Sequence, residues 1–157
     1  MFIKEITSLF KTHDIPFAIV GGYAVAFHGI ARGTFDVDLV TELSEINFVK
    51  IERALKSIGM KPLLPVSATD LYGNLSAYIK EKNLIAWNFI HPNRPRDSLD
   101  IIVTEDLRNL EIIEVESDLG KIPVLSIDSL IQMKSKANRE QDLQDIEALK
   151  ALKRGKA

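Results

Sequence analysis

The sequence predicts a single α/β domain, and three observations predict it. Stretches with helical apolar spacing alternate along the chain with short runs of strand character. One of those runs is wholly apolar and stops at Gly21-Gly22, and the next alternates apolar with polar side chains. At 157 residues, 46% hydrophobic and 27% charged, the chain has the size and composition of one globular unit able to bury a core.

The elements follow in order. Phe2, Ile3, Ile6, Leu9 and Phe10 keep helical spacing, so a first helix ends near His13, broken by Asp14 and Pro16. Phe17-Ala18-Ile19-Val20 is a continuous apolar run, the pattern of a strand buried on both faces. Tyr23 to Phe27 reads as a short helix and Gly29 to Gly33 as a loop. From Thr34 to Val40 the chain alternates: Phe35, Val37 and Leu39 share one face, Thr34, Asp36 and Asp38 the other. Ser44 caps a helix over Glu45 to Ile58, striped by Ile46, Val49, Ala54 and Leu55 and stopped by Gly59. A helix over Thr69 to Lys80 precedes two strands, Leu84 to Ile90 and Ser98 to Val103, joined by a Pro- and Arg-containing turn. Two short strands flank Asp118-Leu119-Gly120-Lys121. Ser126 then caps a helix, and a last one runs from Gln141 to Leu152. With no internal repeat or linker, residues 1–157 form one domain, a core at about 15–125 with C-terminal helices at about 126–152 packed as an appendage.

Composition closes several function classes. A formal charge of -2 provides no general basic field for nonspecific nucleic-acid binding. The absence of cysteine removes disulfides, thiolate metal sites and cysteine nucleophiles, and fits a cytoplasmic protein. The longest nearly apolar stretch, Pro16 to Ala31, is shorter than the roughly 20 residues of a membrane span and is interrupted by Gly21-Gly22 and His28. The mixed charges near the N-terminus do not resemble a secretory signal. No membrane association is expected.

The chemistry concentrates on carboxylates. Asp36 and Asp38, two residues apart on a strand, place their side chains on one face about 7 Å apart. Two like charges over a core-packed strand repel each other and resist desolvation, and a divalent cation is the simplest compensation. Magnesium takes oxygen ligands, commonly one or two carboxylates plus substrate phosphates. The plainer reading is the polar face of an edge strand. Three neighbours weigh against it. Gly21-Gly22 lies between a buried strand and a helix, where backbone N–H groups favour an anion. Arg32 and Thr34 precede the carboxylates, and a guanidinium there holds a phosphate, neutralises the acidic pair, or forms a salt bridge that only steadies the loop. Asp100 interrupts an apolar strand, Leu99 to Val103, where a carboxylate needs a partner. Asp97 is the competitor for that third place, but a solvated aspartate in a turn needs no explanation.

Gly21-Gly22 followed by Asp36-x-Asp38, with Asp100 on a later strand, resembles the polymerase-beta-like nucleotidyltransferase superfamily. The string Gly-Gly-Tyr-Ala-Val-Ala-Phe-His-Gly-Ile-Ala-Arg-Gly-Thr-Phe-Asp-Val-Asp-Leu from Gly21 to Leu39 is similar to its small AbiEii-type, toxin-like members. Ser126-Ile-Asp-Ser-Leu-Ile-Gln-Met-Lys134 and Arg139-x-x-Asp142-x-x-Asp145 fit the C-terminal helices of that group. The resemblance implies a nucleotidyltransferase fold, a mixed sheet flanked by helices. It implies that Asp36, Asp38 and Asp100 are catalytic and hold magnesium or manganese, two ions in all. Gly21, Gly22, Arg32 and Thr34 would surround the triphosphate, with Lys134 and Arg139 reaching its tail from the C-terminal helices. A nucleoside monophosphate would pass from a nucleoside triphosphate to a hydroxyl, and pyrophosphate would leave. Many members have Gly-Ser where this chain has Gly21-Gly22, a change of phosphate contact.

The acceptor stays open among tRNA or other RNA, a protein, and a small molecule such as an aminoglycoside. So does membership of a toxin–antitoxin pair with a cognate antitoxin, and a homodimer. The alternative is an inactive nucleotide-binding or interaction module on the same fold. For Arg139 a solvated helix charge paired with nearby acids is the competing reading. Asp142 and Asp145 read as structural, Trp87 as core, and His13, His28 and His91 as structural groups without ligand spacing.

Overall fold

In the computed structural model, which describes residues 1–34 and 36–155, seven strands form one mixed sheet in the order β3-β4-β5-β2-β1-β7-β6. The strands are β1 (Ala18–Val20), β2 (Val37–Val40), β3 (Lys61–Pro62), β4 (Ala86–His91), β5 (Arg94–Ile102), β6 (Ile112–Ser117) and β7 (Gly120–Leu125). β2 runs parallel to β5 and β1 parallel to β7; the other neighbours are antiparallel. The helices are α1 (Phe2–Thr12), α2 (Gly21–Phe27), α3 (Glu45–Ser57), α4 (Ala68–Gly73), α5 (Leu75–Lys82), α6 (Ile127–Ala137) and α7 (Glu140–Gly155). The α/β class read from the sequence is the observed one.

Ala18, Ile19 and Val20 are all buried, as a strand in mid-sheet requires, because both faces of β1 are covered. Below the sheet, Val37, Leu39, Trp87, Phe89, Leu99 and Ile101 are wholly buried. Phe48 of α3 stacks on Trp87 with ring centroids 5.1 Å apart and meets Tyr72 edge-on at 5.4 Å. Trp87 is core, as its apolar neighbours suggest. The buried face of α3 is Phe48, Ile51, Ala54 and Leu55; Ile46, counted in the predicted stripe, points outward and is 70% exposed.

On the opposite face lie α2 and the C-terminal pair. His28 is buried, and its Nε2 donates to the Leu125 carbonyl at 2.8 Å, tying the end of α2 to β7. Leu130 of α6 and Leu149 of α7 belong to the same hydrophobic cluster as the sheet. Ser44 and Ser126 cap α3 and α6 by accepting from Asn47 N and Ser129 N, each at 3.2 Å.

Several elements depart from the sequence reading: β3 was not expected, and α2 begins at Gly21, where the sequence placed its start at Tyr23. The helix expected over Thr69 to Lys80 is two, broken at Asn74, which ends α4 and begins α5. β5 begins at Arg94, so Pro95, Arg96 and Asp97 belong to the strand and the turn contracts to Pro92-Asn93. β2 begins only at Val37, so Thr34 and Asp36 precede it. Phe35 lies outside the described residues.

The Phe48–Trp87 contact carries a testable cost. Phe48→Ala removes a buried ring stacked on a second one, and should destabilise the fold by about 3–5 kcal/mol. Urea denaturation read by Trp87 fluorescence measures it, and a loss below about 1 kcal/mol would mean that the site collapses around the deletion.

Candidate active site

The site is built from one row across the sheet. Val20 pairs with Asp38, Asp38 with Asp100, and Asp100 with Asn88, so four neighbouring strands place these side chains on one face. The alternation that buries Val37, Leu39, Leu99 and Ile101 turns Asp38 and Asp100 the other way. Asn88 Nδ2 donates to Asp100 Oδ1, and lies 3.2 Å from Ser98 Oγ. It fixes one oxygen of Asp100.

Burial pushes the Asp38 carboxyl up to about 7; the neighbouring Asp100 and Asp36 carboxylates and a hydrogen bond to Asp100 add to this, and Lys134 opposes it. Asp38 therefore resists ionisation when no cation lies beside it. Asp36 is exposed and stands ahead of the strand. It therefore reaches the pair from the loop, not from the same strand face as the alternation predicted.

The glycines serve close approach. Gly21 has φ +67°, a conformation that disfavours side chains, and a Cβ there would overlap the Asp38 carboxylate. A Cβ on Gly22 would overlap Arg32 Nη1 and come within 2.8 Å of Thr34 Oγ1. The guanidinium of Arg32 therefore lies directly over Gly22. Its Nε pairs with Asp145 of α7 at 3.1 Å.

Asp145 also binds Lys134 Nζ at 2.9 Å and Gln141 Nε2 at 3.1 Å. Lys134 is 6% exposed and lies 3.6 Å from Asp142 as well. Asp142 accepts from Arg139 Nε at 2.8 Å and from Arg139 N at 3.1 Å. Burial raises the Asp142 carboxyl, but the Arg139 side chain and backbone, with Lys134 nearby, outweigh it and hold the carboxyl below its ordinary value. Arg139 is engaged by Asp142, the pairing at helical spacing that competed with a nucleotide role, while its side chain stays 78% exposed.

Gly21, Gly22, Arg32, Thr34, Asp36, Asp38, Asp100, Lys134 and Arg139 all line one cavity of about 580 Å³. Asp142 lines it too, although the sequence marked it as structural only. Asp97 does not join them: it pairs with Arg94 at 3.2 Å. Asn88 and Asp145 were not singled out as functional. Asn88 is invisible without the β4–β5 register, and the spacing of Asp142 and Asp145 on α7 was the one available signal for theirs.

Among the described residues no three His, Cys, Asp or Glu side chains are arranged to close on one ion. The Asp38–Asp100 pair nevertheless fits magnesium, whose sites commonly use one or two carboxylates and leave remaining positions to phosphate and water. Both are oxygen donors in register, and their mutual repulsion is what a cation relieves.

No family model matches this sequence, and no curated protein matches it. Solved structures do. The lincosamide antibiotic adenylyltransferase LnuA, bound to lincomycin, aligns over 96% of this chain and 96% of its own, with TM-score 0.65 and 19% identity. A Thermotoga maritima protein assigned as a nucleotidyltransferase aligns over 93% and 88%, with TM-score 0.59 and 19% identity. The chain has the nucleotidyltransferase fold. ANT(2")-Ia in complex with adenylyl-2"-tobramycin shares that fold at TM-score 0.59 and 12% identity, over 98% of this chain and 93% of the other. Among the described residues of this nucleotidyltransferase fold, no helix is long and apolar enough to cross a membrane.

The raised Asp38 value gives the stability a sign. Between 3.8 and about 7 the folded chain binds more protons than the unfolded one, so without divalent metal its stability falls as pH rises through that window. Asp38→Asn should remove this dependence. In chelator, the variant should melt several degrees above the parent at pH 8, and the gap should narrow steadily as pH falls from about 7 toward 3.8. Equal melting temperatures at pH 8 would show that Asp38 carries no burial penalty.

Proposed function

We propose that this protein is a nucleotidyltransferase of the AbiEii type that moves a nucleoside monophosphate from a nucleoside triphosphate to the hydroxyl of a small molecule. The observation that carries this reading is the in-register Asp38–Asp100 pair beside the Gly21-Gly22 turn, in one cavity with Arg32, Thr34, Lys134 and Arg139. The triphosphate lies against the Gly21-Gly22 segment, where Arg32, packed over Gly22, offers its guanidinium. Arg139, exposed at the cavity rim, reaches the outer phosphates. Lys134, locked by Asp142 and Asp145, supplies a fixed positive charge behind Asp38.

Magnesium held by Asp38 and Asp100, with Asp36 contributing from the loop, would neutralise the phosphates and the developing charge. The acceptor oxygen bonds to the α-phosphorus as the bond from phosphorus to the pyrophosphate oxygen breaks. The hydroxyl proton passes to the carboxylate of Asp100, which Asn88 holds in place. The products are the nucleotidyl ester, pyrophosphate and a proton.

A small-molecule acceptor is favoured over RNA by two observations. The alignments with two antibiotic adenylyltransferases run over nearly the whole of this chain. A net charge of -2 provides no general attraction for a polyanion.

The direct test incubates the purified protein with each α-labelled nucleoside triphosphate and magnesium, adding lincomycin, tobramycin or total RNA in turn. Label should move to a small molecule, and Asp38→Asn or Asp100→Asn should lower the rate at least about a hundredfold while the fold persists. Label on RNA instead would establish the transferase and overturn the acceptor class. Neither transfer nor magnesium-dependent nucleotide binding would overturn the function.

A further inference from the structure

The sheet fixes an order of positions along the cavity. Gly21 follows the end of β1, and Val20 is level with Asp38, so the Gly21-Gly22 turn lies beside the carboxylates on the β1 side. β5 lies on the other side of β2, and Asp100 is level with Asp38. Ile102 lies two residues further along β5 on the same face, paired with Ala86 of β4. Ala86 and Ile102 are therefore diagonally opposite the glycine turn, with Asp38 and Asp100 between.

Displacement at phosphorus is in line: the entering oxygen approaches opposite the leaving one. If the triphosphate runs along Gly21-Gly22, pyrophosphate departs toward β1. The attacking hydroxyl must then arrive from the β5–β4 side.

That end of the cavity differs in chemistry from the other. Ala86 and Ile102 line it from the sheet and Ile85 from just before β4, with Thr104 and Glu105 following β5; Met133 of α6 lines the same cavity. Ile85 is 63% exposed, so its side chain is accessible to a ligand in the cavity. Lys136, which also lines this end, is paired with Glu105 at 3.0 Å.

We propose that the slot formed by Ile85, Ala86, Ile102 and Met133 is the acceptor subsite, and that it takes a hydroxylated small molecule through an apolar face. The inference rests on the transferase reading of the carboxylates and deepens it. The slot packs the carbon skeleton of the acceptor and aims its hydroxyl at Asp100, while Thr104 meets a polar substituent further out.

Simple alcohols probe the slot. The full chain, with labelled isoleucine and methionine methyls, is titrated by NMR with 1-propanol through 1-hexanol in the presence of magnesium and a non-hydrolysable ATP analogue. Shifts should concentrate on Ile85, Ile102 and Met133, and affinity should rise about fourfold per methylene. Ile102→Ser should weaken hexanol binding at least about tenfold, with the melting transition retained. If the analogue alone shifts these methyls and excludes the alcohols, the slot belongs to the nucleoside and the proposal is overturned. Shifts that avoid the slot, or affinity independent of chain length, overturn it as well. If the alcohols fill the slot as expected and the nucleotide analogue does not bind, the apolar subsite stands and the transferase reading falls.

Discussion

Two carboxylates level with one another on parallel neighbouring strands are the constraint around which this molecule is arranged. Asp38 and Asp100 sit on the half-covered face of β2 and β5 because the residues on either side of them must enter the core. Strand alternation leaves no freedom to move one without inverting the strand. Their repulsion therefore persists, and the surrounding structure answers it with positive charge. Lys134 lies behind Asp38, Arg32 lies over Gly22, and both are tied to acids of α7.

The C-terminal hairpin is therefore part of the site. Asp142 and Asp145 bind Lys134 between them, and Asp145 reaches across to Arg32 in the loop before β2. A buried network of this kind does little for net stability, since desolvation offsets much of the attraction. It does fix where the cationic groups sit. The same helices contribute Leu130 and Leu149 to the core, so their position is set by packing and their charges only by direction.

The sequence displayed what is local. Asp36, Asp38, Asp100, the glycine pair and Arg32 stood out because a carboxylate in an apolar strand, or a double glycine between a strand and a helix, violates the pattern around it. Ser44 and Ser126 were legible as caps for the same reason. What was not legible depends on partners distant in the chain. Asn88 gains its meaning only from being level with Asp100 on the next strand. Ile46 fitted a helical stripe but faces water, because the neighbouring Phe48 has Trp87 to stack upon. The break at Asn74 does have a local mark, Gly73-Asn74, a helix-stopping pair that the apolar spacing on either side overrides: α4 ends and α5 begins there.

The space above Gly22 holds one group at a time. A side chain on residue 22 and the guanidinium of Arg32 compete for the same volume, so the two positions form a single unit of choice. A serine there would bring a short neutral hydroxyl, immobile on its helix. This chain keeps the position bare and fills it from a loop, with a charged group on a long stem anchored by the far helix. Evolutionary change at residue 22 is thereby linked to change at 32, and through Asp145 to α7. Positions 22, 32 and 145, far apart in sequence, are expected to vary together or not at all.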